Sequence, residues 1–214
     1  MKAVMYWFIW NHATLWTVTL GLRPSWSDDD LANFYSGNHR STSSERLRML
    51  LLMDTPNRES LALGRAIDLA TDNVRNGGGP FGALVVTIDG RVFEGTNRVT
   101  ANLDPTAHAE VSAIRAACLG LGTFDLSGAT LYTSCEPCPM CRAAALWARI
   151  GTICFAADRY DAAHAGFDDA AFYDYFDHPA DENSVMPVTQ VEIDRDTAIA
   201  PFTTWTETST RVRY

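Results

Sequence analysis

Three metal-type side chains and one carboxylate, spaced as His108-Ala109-Glu110 and Pro137-Cys138-Pro139-Met140-Cys141, constrain this chain more than any other feature. One imidazole and two thiolates fill three corners of a tetrahedral zinc site, one zinc per subunit, and leave the fourth for water. Each group also sits where a helix is expected to begin. His108 follows Pro105-Thr106 and lies in the first turn of a helix running from about Ala107 to Leu119. Cys138 and Cys141 follow Pro137 and open a second helix that ends near Ala148. A helix N-terminus favours thiolates, so the fold must bring two such termini to one point. A C-x-x-C alone also suits redox pairs and halves of zinc fingers. A finger needs a second ligand pair at finger spacing, and the chain has none. The competing reading is a buried histidine beside a structural or redox C-x-x-C.

Glu110, two residues from His108, does not share the histidine's helix face. From the first turn it still reaches the mouth of such a site. Its expected role is to take a proton from the zinc-bound water and pass it on; alone, it would read as a solvated first-turn glutamate.

The periodicity around these motifs predicts an α/β fold. Thr55-Pro56 is a helix start, with Leu63, Ile67, Ala70 and Val74 at helical spacing, and Gly77-Gly78-Gly79-Pro80 ends the helix. Phe81 to Ile88 and Arg91 to Thr96 read as a hairpin about Asp89-Gly90. Strands follow at Thr130 to Ser134 and Thr152 to Ala156, then a short helix at about Ala170 to Phe176. Val188 to Ile193 alternates as a further strand. The order predicts a three-layer α/β/α sandwich with a mixed sheet of about five strands.

Composition narrows the partners. Residues 54–214 carry twelve Arg, no Lys and twenty-two Asp/Glu. No basic cluster is present, which weighs against a nucleic-acid partner. Five cysteines, three of them within seven residues, make a poor disulfide framework and a good metal site, so a reducing cytoplasm is expected. Residues 1–53 read as an extension ahead of a zinc-dependent domain at 54–214. Ala3 to Leu22 is apolar but broken by Asn11, His12, Thr14, Thr17 and Thr19, too polar for a good membrane span. Lys2 is its lone basic residue, and it lacks a clean cleavage site. Three readings stand: a non-functional extension with Met53 as the natural start, an uncleaved targeting or anchoring segment, or a packed N-terminal element.

The wider motifs Asp104-Pro105-Thr106-Ala107-His108-Ala109-Glu110, Leu131-Tyr132-Thr133-Ser134-Cys135-Glu136-Pro137-Cys138-Pro139-Met140-Cys141 and Ala165-Gly166-Phe167-Asp168-Asp169 resemble the bacterial guanine deaminases of the cytidine deaminase superfamily. The first two motifs are shared with tRNA adenosine deaminases; the third and the C-terminal aromatic point more narrowly. The resemblance covers about residues 54–214 and implies that zinc-bound hydroxide attacks the amino-bearing carbon of guanine, giving xanthine and ammonia. It implies a small-molecule purine base as substrate, with Phe81 stacking on it, Asn97 and the backbone N–H of Ala109 meeting the ring carbonyl, and Trp147 lining the pocket. Asp169 would share in proton transfer, with Asp168 the competing candidate and a helix cap the alternative for either. Tyr214 would close a neighbouring subunit's site in a homodimer with exchanged C-terminal segments. Phe81 and Trp147 have a plainer reading as packing residues, and Asn97 as a turn former. The rival substrates are tRNA adenosine-34, cytosine, a nucleoside or an aminotriazine; a non-catalytic zinc module is the rival from another class. The acidic Ala170 to Asn183 segment and Arg142-Ala143 depart from the family pattern and leave substrate preference open.

Overall fold

The computed structural model describes residues 55–177 and 186–213, so the expectations for residues 1–53 and for Tyr214 fall outside the described residues. Helix α1 (Thr55–Arg75) leads into the hairpin β1 (Gly82–Val86) and β2 (Val92–Thr96). A single turn, α2 (Val99–Asn102), precedes α3 (Ala109–Leu121), β3 (Thr130–Cys135), α4 (Pro139–Trp147) and β4 (Thr152–Ala157). Three helices follow: α5 (Arg159–His164), α6 (Ala170–Asp177) and α7 (Arg195–Glu207).

The sheet is mixed, in the order β2-β1-β3-β4, with β1 antiparallel to both β2 and β3, and β3 parallel to β4. Strand residues alternate between its two faces. Ala83, Val85 and Leu131 pack with Ala109, Ala113 and Ala117 of α3 and with Ala145 of α4, while Leu84 and Tyr132 pack against Ala62 of α1. Both faces are therefore covered, as the three-layer expectation requires. Val85 and Leu131 are completely buried, each stabilising the fold by roughly 1.5–3 kcal/mol relative to exposure.

Small residues set the layer spacing. A Cβ on Gly95 would lie 2.2 Å from the Ala109 carbonyl oxygen and 2.4 Å from the Ala113 nitrogen. On the opposite face, a Cβ on Gly82 would lie 2.3 Å from the Ala66 oxygen. In both cases helix backbone presses directly onto the sheet. The same close packing sets the buried face of α1. Its buried stripe is Ala62, Ala66 and Ala70, whereas Ile67 and Val74 are about half exposed, because only a methyl-sized side chain fits where the helix touches Gly82. Gly95→Ala is expected to destabilise the protein by about 1–3 kcal/mol, read as a lower thermal midpoint. It also pushes on the first turn of α3, so zinc affinity falls with it.

The expected fifth strand is absent among the described residues. Val188, Val191 and Ile193 are exposed and the segment is irregular. Alternation encodes a two-faced ribbon, but a strand also needs a neighbour for its N–H and C=O groups, and 188–193 has no ladder there. The unexpected α7 begins just beyond, where the Asp194 carboxylate accepts from the Thr197 N–H at 2.9 Å as an N-cap.

Candidate metal centre and active site

His108 is the N-cap of α3 and Cys138 the N-cap of α4, both with extended backbone; Pro139 occupies the next position. The two helix N-termini converge as the spacing predicted. His108 Nδ1 lies 3.7 Å from Cys138 Sγ and 3.5 Å from Cys141 Sγ, and the three ligand atoms fall within 4.8 Å of one another. Tetrahedral zinc with bonds of about 2.05 Å to nitrogen and about 2.3 Å to sulfur separates such atoms by about 3.6 Å, so the donor set fits the ion. A hydrogen bond from Cys141, then the nearby His108, hold the Cys138 thiol down, to about 4. The same pairing, with burial, pushes the Cys141 thiol up.

Cys135 stands on the end of β3, where burial pushes its thiol up to about 11. It is hydrogen-bonded to the Asp158 carbonyl at 3.5 Å. It is not among the three groups that converge as ligands.

Glu110 is 5% exposed, in the first turn of α3. Burial is the main cause that raises its carboxyl above the usual range, and the charge of Cys138 adds to it. A carboxyl lifted in this way holds and releases a proton closer to neutrality than a solvated one. Ala109 is fully buried between His108 and Glu110, at the first helical position, where backbone N–H groups have no partner within the helix.

A cavity of about 540 Å³ opens beside these groups and is lined by Phe81, Asn97, His108, Glu110, Cys138, Phe167, Asp168 and Asp169 among others. The rings of Phe81 and Phe167 meet edge to face at 5.1 Å. Asn97 is buried at the exit of β2, and its Oδ1 accepts from the Val99 N–H at 3.3 Å. With the oxygen so engaged, Nδ2 is the donor end available to the cavity.

Both aspartates line the cavity. Asp168 Oδ1 accepts from the Ala170 N–H at 2.9 Å, just ahead of α6. The Asp169 carboxyl is raised by burial first and by the Cys138 charge second. Trp147 is 69% exposed in the single chain and is not among the residues lining this cavity. The buried residues of α4 are Cys141 and Ala145.

Several residues of the site were not expected as such. Glu136 sits between Arg142 Nη2 at 2.5 Å and the Arg159 backbone N–H at 3.2 Å. The Arg159 guanidinium lies 4.4 Å from the centre of the Tyr173 ring, whose hydroxyl donates to the Pro137 carbonyl at 3.2 Å. This cluster ties α5 and α6, and hence Phe167 and Asp169, to the loop that carries Cys138. The place of Glu136 inside Cys135-Glu136-Pro137-Cys138 was a sequence signal for it; Arg159 and Tyr173 had none.

Comparison with known proteins agrees with this geometry. Residues 56–157 match the family model described as the cytidine and deoxycytidylate deaminase zinc-binding region. The guanine deaminase of Bacillus subtilis is 47% identical over 153 residues, covering 71% of this chain and 96% of that protein. The crystal structure of a guanine deaminase from Bacillus subtilis superposes with a TM-score of 0.69 at 46% identity, covering 76% of this chain and 99% of that one. A tRNA-specific adenosine deaminase of Agrobacterium fabrum is 48% identical over 79 residues, covering 36% of this chain and 51% of that protein. No described helix is long and apolar enough to cross a membrane.

Proposed function

The chain belongs to the cytidine and deoxycytidylate deaminase family together with the guanine deaminase of Bacillus subtilis, and from that premise we propose that it hydrolyses guanine to xanthine and ammonia. The observation that carries this reading is the cavity itself. An aromatic pair, the Asn97 amide and the Asp169 carboxylate face the metal triad and Glu110 within one space of about 540 Å³, a size and lining that suit a free base. The similarity to the guanine deaminase also runs almost its whole length, whereas that to the tRNA enzyme stops at about half.

His108, Cys138 and Cys141 would hold a zinc ion, which would supply a water acidified toward neutrality. Glu110 would take a proton from the attacking water and deliver it to the ring nitrogen beside the amino-bearing carbon. It would then take the hydroxyl proton of the adduct, leaving the new carbonyl, and hand it with the help of Asp169 to the amino group, which leaves as ammonia when its C–N bond breaks. Phe81 covers the base, while Asn97 Nδ2 and the Ala109 N–H donate to its ring carbonyl. A neutral base needs no basic groove, in keeping with a domain that has no lysine from residue 54 onward.

The test is ammonia release from guanine, guanosine, cytosine, adenine and tRNA by zinc-loaded protein. Guanine is expected to be turned over fastest by at least tenfold; turnover of tRNA without guanine would sink the reading. Residues 54–214 constitute the catalytic unit, so a chain starting at Met53 is expected to keep its zinc and full turnover.

The protein works as a homodimer in which the C-terminal segment, with Tyr214 at its end, closes the partner's site. Supporting this, Phe202, Val212, Leu146 and Trp147 are all more than 60% exposed in the single chain. Light scattering is expected to give twice the chain mass, falling to one chain mass when residues 197–214 are removed. The reducing cytoplasm is its compartment, where Cys138 and Cys141 stay thiolate ligands.

A further inference from the structure

We propose that Asn73 is a positioning residue that sets where the Asn97 carboxamide stands in the cavity. Asn73 lies in the last turn of α1 and is 6% exposed. Its Nδ2 donates to two carbonyls at once, Gly79 at 2.8 Å and Asn97 at 2.8 Å. Its own carbonyl accepts from the Gly78 N–H at 2.8 Å. One side chain therefore joins three pieces of chain: the end of α1, the glycine loop at 77–79 that lines the cavity, and the turn that carries Asn97.

The chemistry at this point admits few alternatives. A primary amide offers two N–H donors from one nitrogen. Aspartate would turn a carboxylate against two carbonyl oxygens, and leucine would leave both carbonyls without a donor in a buried place. The glycines are matched to the amides. A Cβ on Gly78 would lie 2.3 Å from Asn73 Nδ2, and one on Gly79 would lie 3.1 Å from Asn97 Cγ. The loop thus closes on Asn73 from one side and on Asn97 from the other. The remaining ties of Asn97 are its N–H to the Phe81 carbonyl at 3.1 Å and its Oδ1 to Val99. Those ties hold its backbone nitrogen and its side-chain oxygen; Asn73 holds the carbonyl between them.

The consequence for substrate recognition rests on guanine being the substrate and Asn97 its reader, so the test has one arm that needs no substrate. In zinc-loaded, ligand-free protein, the side-chain amide nitrogen of Asn97 is followed by NMR. Asn73→Ala and Gly79→Ala are each expected to move that resonance while the backbone amide of Glu110 stays in place. In the kinetic arm, Asn73→Ala is expected to raise KM for guanine about tenfold, the size of one lost hydrogen bond, with kcat within about threefold. In an Asn97→Ala background the same change should add less than about twofold. A role confined to stability would instead give two effects that multiply, and that result overturns the proposal, as does an Asn97 amide that does not move. If Asn73→Ala fails to fold, Gly79→Ala keeps the buried amide and runs through the same cycle. A wild-type protein that does not deaminate guanine defeats the substrate reading alone, and the NMR arm then decides the role of Asn73.

Discussion

Replacing Glu110 by glutamine lowers kcat by about a thousandfold, while the protein still binds one zinc per chain. Glutamine keeps the volume and the polar end of the side chain but cannot accept and return a proton, and general acid–base groups are worth about 10²–10⁴ in rate. The structure makes this a clean substitution. Glu110 is two residues from His108 and is not one of the three ligand groups that converge. Its carboxylate is buried at a cost that shows in its raised pKa, so the neutral glutamine fits at least as well, and the variant is expected to be no less stable than the parent. That pairing of lost turnover with kept stability is characteristic of catalytic groups. The measurements are kcat by ammonia release, metal content by elemental analysis and the thermal midpoint. A Glu110→Gln protein with more than a tenth of the parent's kcat would remove Glu110 from the proton path.

Cys141→Ser removes zinc and activity together, with kcat at background even in added zinc at micromolar levels. Cys141 is fully buried at the start of α4 and one of its two thiolate donors. A serine hydroxyl in the same place is a far weaker zinc ligand than a thiolate. The loss extends to stability, because the metal joins the N-terminus of α3 to that of α4. A ligand that binds only the folded state stabilises it by about 2.7 kcal/mol at a hundredfold excess over Kd. The parent's thermal midpoint is therefore expected to fall on chelation, whereas that of Cys141→Ser is low at the outset and insensitive to chelator. Stoichiometric zinc in the serine variant would show that another group completes the site.

The ligand set was legible because its residues are rare, reactive and spaced at two helix N-termini, and one look at His108, Cys138 and Cys141 names both metal and geometry. The hairpin at Asp89-Gly90 and the buried strands of the sheet were legible for a similar reason: turn chemistry and apolar runs are local signals. What was not legible depended on partners distant in the chain. The buried face of α1 belongs to Ala62, Ala66 and Ala70 because Gly82, on a strand, admits only small neighbours; no periodicity within the helix reports that. Residues 188–193 alternate like a strand, yet alternation carries no information about a pairing edge.

The two aspartates show the division most sharply. Written side by side, Asp168 and Asp169 are indistinguishable. In the fold one is spent on the Ala170 N–H and the other is lifted by burial near Cys138. Asn73 is the opposite case, an ordinary helical asparagine until the glycine loop and Asn97 are brought against it. By itself, then, the sequence of this protein determined the metal and the reaction class, since these follow from which functional groups exist and how closely they are spaced. Tertiary structure alone decided how the surroundings of Asp168 and Asp169 differ, which helix face is buried and what holds Asn97 in place. Those are matters of distance and desolvation between segments far apart in the chain, and distance and desolvation exist only once the chain is packed.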